Sequence, residues 1–86
     1  MTPHDIQILA CKGFGIDMKH MLARRGSPKV CLARHCAMYA CRKILHMSYP
    51  KIGGMFGRHH TTVISACERV GEVGDAFVLA IRRGEI

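Results

Sequence analysis

The chain has 86 residues, 49% of them hydrophobic, with two Tyr, three Phe and no Trp, and it carries a formal net charge of +7. That length implies one small domain over 1–86 with a single core of aliphatic side chains, Met and Cys. No apolar run approaches the roughly 18 residues of a membrane span, and the opening MTPHDIQ lacks the apolar stretch of a secretory leader, so a cytoplasmic protein with no membrane partner is expected.

In chain order, Pro3 opens a helix on which Ile6, Leu9 and Ala10 recur at three- and four-residue spacing. Gly13 and Gly15 bracket Phe14 and end it. Met18, Met21 and Leu22 make another turn or two, and then ARRGSPK forms a basic loop broken by Gly26 and Pro28. The spacing predicts a long helix over 30–47, with Ala33, Cys36, Ala37, Ala40, Cys41, Ile44 and Met47 on one buried stripe. Arg34, Met38 and Arg42 fall on a different face, predicted to show a basic row to solvent. Ser48 followed by Pro50 starts a short helix, capped by Ser48 or Tyr49, in which Ile52, Met55 and Phe56 form the apolar set. Gly57 stops it. A further helix is predicted over 59–70, with Val63, Cys67 and Val70 inward and His60, Thr61, Thr62, Ser65 and Arg69 outward. Residues 71–86 read as a C-terminal tail with a short helix over 76–83. Two short helices joined at a glycine turn, the second offering small polar side chains, have the pattern of a helix-turn-helix.

Charge is uneven along this frame. Between Met18 and Cys67 there is no Asp or Glu, while Lys19, Arg24, Arg25, Lys29, Arg34, Arg42, Lys43, Lys51 and Arg58 all fall there. Residues 1–70 hold eleven basic against three acidic groups, a balance of +8. Cations without internal carboxylates are neutralised by a polyanion, and phosphate backbones are the commonest one. The five cysteines are odd in number and make no disulfide framework. Cys31, Cys36 and Cys41 are five apart, a turn of ~140° per step around a helix, so they do not converge on one metal ion, and adjacent His59 and His60 diverge. No HExxH, GxSxG or phosphate-cradling glycine loop occurs, and the carboxylates are scattered. No enzyme, metal, cofactor or nucleotide is expected.

Double-stranded DNA is the partner that charge and motif share. Short polar side chains at the start of a recognition helix reach base edges in the major groove, and His59, His60, Thr61 and Thr62 form such a set, with Ser65 one turn on. Arg24, Arg25 and Lys29 on the basic loop are placed to reach phosphate or an adjacent minor groove, and Arg34, Arg42 and Lys51 to hold the backbone.

The stretch from Leu32, LARHCAMYACRKILHMSYPKIGGMFGRHHTTVISACERV, resembles the C-terminal DNA-binding domain (domain IV) of the bacterial replication initiator DnaA. That family carries an AMYLAR-like helix, a SLPEIG..FG helix and the signature GGRDHTTV. IQILACKGFGIDMKHMLARR upstream fits its first helix and basic loop, so the resemblance covers about 6–70. It implies an all-α fold of five to six short helices in the Trp-repressor-like class of helix-turn-helix. It also implies a minor-groove role for the arginines at 24 and 25, a thymine contact near Tyr49 and Pro50, backbone contacts around Arg34, Arg42 and Lys51, and major-groove reading by Arg58, His60, Thr61 and Thr62. Two departures stand out: His59 replaces the family's Asp, and one glycine before Arg58 is missing. No ATPase module or N-terminal interaction domain lies within these residues. The function implied is sequence-specific binding of a DnaA-box-like site by a stand-alone domain, in replication initiation or its regulation, with competition against the full-length initiator. The alternatives are a small prophage-type transcriptional regulator and a protein-interaction module that uses the basic face.

Overall fold

A computed structural model describes residues 1–86 as six helices and no strand: α1 Pro3–Phe14, α2 Met18–Leu22, α3 Pro28–Leu45, α4 Tyr49–Phe56, α5 His60–Arg69 and α6 Gly71–Arg82. The all-α helix-turn-helix expectation holds. Local chemistry explains most boundaries. Thr2 and Asp5 close a reciprocal capping box at α1. The Ser27 hydroxyl accepts the Val30 amide, and the Ser48 hydroxyl that of Lys51. Because Ser27 is the cap and Pro28 the first helical residue, α3 starts and stops two residues earlier than the apolar stripe alone suggests. Its C-cap is His46 at φ 53, an unusual place for a side chain with a Cβ. Between α4 and α5 the left-handed position falls to Gly57 at φ 64, where glycine is free of that cost.

α3 is the hub, and every other helix packs on it. Ala33, Cys36, Ala37, Met38, Ala40 and Cys41 are fully buried along its length. Such small residues let five neighbours approach closely. Ile6 of α1, Met21 of α2, Ile52 of α4 and Val63 of α5 supply the larger buried chains, each contributing about 1.5–3 kcal/mol of transfer free energy. Encirclement also overturns the predicted solvent row on α3: Arg34 keeps 4% exposure and Met38 none, and Arg42 is half-buried. Exposure on α3 is confined to its ends, at Pro28 and Lys29 and at Lys43 with the C-cap His46. No helix is long and apolar enough to cross a membrane.

α6 starts at Gly71, five residues before the predicted helix, and buries Phe77, Val78 and Ile81. Gly74 permits this, because a Cβ there would meet the side chains of Val70 and Tyr39 at under 3.0 Å. The Tyr39 hydroxyl donates to the Asp75 carboxylate across the same seam. That bond, assisted by burial and by the carboxylate's charge, pushes the phenol up to about 12.

Candidate nucleic-acid interface

α4 and α5 pack on one another and on α3, which settles what α5 can show. Val63, Ala66 and the following Val70 face inward, so the register of an α-helix turns His60, Thr61, Thr62, Ser65, Glu68 and Arg69 out, and all six are exposed. Cys67, expected inward, is half-buried. Neither threonine at the start of α5 is used by the core. His59 is the N-cap: the Thr61 amide donates to its Nδ1 at 3.3 Å, and the Thr61 Oγ1 lies 2.8 Å from the same nitrogen. Its ring, expected to diverge from that of His60, instead stacks on it at a tilt, with centroids 4.2 Å apart.

Two buried-side guanidiniums attach the basic loop to this unit. Arg34 donates Nε to the Met21 carbonyl at 2.9 Å and Nη2 to those of His20 and Ala23 at 3.0 and 2.9 Å. These carbonyls lie at the C-terminal end of α2, where a cation is favoured, and that of His20 also accepts the Ala23 amide at 3.3 Å. Arg58 donates Nη2 to the Ala23 and Arg24 carbonyls at 2.8 and 3.1 Å, and Nη1 to that of Phe56 at 3.2 Å. Both cations share the Ala23 carbonyl. Burial first, and then the nearby Arg58 charge, hold Arg34 below the usual arginine value. The consequence is a concave surface lined by Leu22, Arg24, Phe56, Gly57, Arg58, His59 and Thr62, which sets the loop cation Arg24 beside the start of α5.

The predicted site residues therefore sort into three groups. Arg24, Arg58, His59 and Thr62 are brought to one concavity, with His60, Thr61 and Ser65 on the adjoining face of α5. Arg25, Lys29, Pro50 and Lys51 are exposed on the loop, the start of α3 and the first turn of α4. Arg34 and Arg42 are turned to the protein itself. Arg42 donates to the Met47 carbonyl at 2.9 Å and lies over the Tyr49 ring at 4.4 Å, fixing the corner between α3 and α4 and half-burying Tyr49. For Arg34 the solvent-facing expectation is corrected outright, since its donors are spent on carbonyls and its surface is covered. Sequence reasoning missed both clamps. The one available signal was an arginine bordering the apolar stripe of a helix too well surrounded to keep a polar face. It missed His35 as well, half-buried and held below the usual imidazole value by burial and then by Arg34, Arg69 and Arg58.

The cysteines belong to the packing. Cys36 and Cys41 have no exposed surface, and burial pushes their thiols up to about 11 and about 12, in Cys41 with a smaller push from Cys67. Protonated and covered, they behave as small apolar side chains.

Residues 3–70 match the family model described as bacterial dnaA protein helix-turn-helix. The chromosomal replication initiator protein DnaA 2 of Chlamydia caviae is 37% identical over 84 residues, 93% of this chain and 18% of that protein. The DnaA proteins of a Thermoanaerobacter species and a Synechococcus species are 38% and 36% identical over 76% and 85% of this chain, and 15% and 16% of their own lengths. The chain thus spans less than a fifth of these relatives, and the family match over 3–70 takes in the clamped loop, the α4–α5 pair and the His-Thr start of α5. The chain belongs to the bacterial DnaA helix-turn-helix family, the DNA-binding domain of the replication initiators.

Proposed function

We propose that this domain binds duplex DNA at a DnaA-box-like site, with α5 in the major groove and the 23–27 loop on the adjacent backbone or minor groove, and that it acts in replication initiation or its regulation. The observation that carries the reading is the exposed face of His60, Thr61, Thr62 and Ser65 set beside Arg24 by the Arg58 clamp. A helix start with small hydroxyl side chains fits base edges and thymine methyls. Lys51, exposed on the first turn of α4, is positioned to hold a phosphate and set register. None of these roles calls on a nucleotide cofactor. A domain with this face would occupy boxes used by a full-length initiator, so competition between the two is part of the proposal.

The test is titration of a duplex bearing a DnaA-box-like sequence and of a scrambled duplex, at several salt concentrations. Tighter binding to the first, falling steeply as salt rises, is the expected result. Thr61→Ala should cost about 1–3 kcal/mol on the specific duplex and little on the scrambled one. Equal affinity for both duplexes would remove sequence specificity from the proposal, and indifference to salt would remove DNA.

A further inference from the structure

We infer that His59 is a specificity-determining residue that presents a hydrogen-bond donor to DNA, so that the base pair it selects carries an acceptor edge, guanine before any other. This rests on the DNA-binding reading above. The Thr61 backbone amide lies 3.3 Å from Nδ1, and an amide nitrogen has only its proton to offer. Nδ1 must therefore be the bare, accepting nitrogen of the ring. The Thr61 hydroxyl, 2.8 Å from the same atom, turns its own proton towards it and keeps Oγ1 as an acceptor. This hydrogen-bond network assigns the tautomer, and a neutral imidazole with a bare Nδ1 carries its proton on Nε2.

Nε2 lies across the ring from the cap. The ring is exposed, and its stacking on His60 restrains its rotation. The outward nitrogen is a donor in this tautomer. In the major groove guanine offers two neighbouring acceptors, O6 and N7, whereas cytosine offers only the N4 donor. A donor at this point therefore favours guanine and opposes cytosine. An aspartate in the same place would cap α5 equally well but would offer acceptors alone. The residue at position 59 can thus set the polarity of one base contact and leave the fold untouched.

Duplexes selected from a random pool by the unaltered protein, by His59→Asp and by His59→Ala test this, with melting curves to verify that each variant is folded. The expected motifs agree at every position but one. There the unaltered protein takes guanine, His59→Asp takes cytosine or adenine, and His59→Ala shows no preference. In direct competition the preference at that pair should be roughly five- to tenfold, the lower end of the range of a good base contact. Identical motifs from the unaltered protein and His59→Asp would reduce His59 to a cap and overturn the inference, as would a preference that survives His59→Ala. Failure of the unaltered protein to retain any duplex at low salt is a different result, visible before selection begins, and it would overturn the DNA-binding reading and this inference together.

Discussion

Arg34 and Lys51 carry the same charge within one uninterrupted basic stretch, and the structure gives them opposite surroundings. Arg34 has 4% of its surface exposed and holds three carbonyls around the end of α2, while Lys51 is exposed on the first turn of α4. A planar fork with fixed donors suits the first place and a flexible point charge suits the second. Arg34→Lys should therefore lower stability by about 2–3 kcal/mol, the loss expected when carbonyls bonded to a charged donor are left unmatched, as read by urea unfolding. His35 gives a second prediction at this scale. Burial, and then Arg34, Arg69 and Arg58, hold its imidazole below the ordinary value of 6.5, so the unfolded chain takes up a proton at a higher pH than the folded one. Its contribution is fully present above 6.5 and is lost as pH falls through 6.5 towards the lower folded value. The melting temperature should drop between about pH 7 and pH 5, and His35→Gln should flatten that drop. The lowered Asp5, held down by its bonds with Thr2, acts in a separate window below 3.8, so the two effects can be told apart.

The turn between α4 and α5 places the His-Thr end of α5, and Gly53 is its anchor. The Gly53 carbonyl accepts the Arg58 amide at 2.8 Å, and a Cβ on Gly53 would come within 3.0 Å of the Arg58 carbonyl oxygen. That oxygen is backbone and moves only if the turn moves. Gly53→Ala should cost about 1–3 kcal/mol as an overpacked contact, and it should weaken DNA binding further by shifting the Arg58 clamp. Gly54→Ala is the control: a Cβ there meets nothing within 4 Å, and it should stabilise α4 by roughly 0.5–1 kcal/mol. Side-by-side denaturant curves for the two variants should therefore move in opposite directions. This pair also shows where sequence reasoning stops. The order of helices, the cap at Ser48 and the outward Thr61 and Thr62 were legible, because they follow from spacing and local hydrogen bonding, whereas the Ser27 cap was not. Gly53, Gly54 and Gly74 look alike on paper, and only the neighbours that tertiary packing brings up distinguish them. The helix expected over 76–83 begins five residues too late for the same reason, since α6 starts at Gly71 and Gly74 packs under Val70 and Tyr39. Arg34 and Met38 were read as a polar face because an amphipathic wheel assumes a helix with one partner, whereas α3 has five.

Across the whole molecule, charge is sorted by the fold as well as by the sequence. The acids of the last sixteen residues, Glu72, Asp75 and Glu85, lie in or just beyond α6, whereas Arg24, Arg25, Lys29 and Lys51 are exposed on the loop, the start of α3 and the first turn of α4. Arg34, Arg42 and Arg58 have their donors on carbonyls, so a count of +8 over residues 1–70 overstates what DNA can meet. If Arg24, Arg25, Lys29 and Lys51 each neutralise one phosphate, the logarithm of the binding constant should fall against the logarithm of salt concentration with a slope of about −3 to −4, at roughly −0.9 per phosphate. A protein using all eleven basic groups would approach −10 on the same rule. Arg24→Ala combined with Arg25→Ala should make the slope shallower by about two, and Lys51→Ala by about one, the latter weakening all sequences alike. Arg34→Gln, which removes the charge, should leave the slope where it is. A slope that responds to Arg34 as strongly as to Lys51 would mean that the buried guanidinium leaves its carbonyls for phosphate on binding, and that the 23–27 loop is rebuilt on the DNA rather than held ready for it.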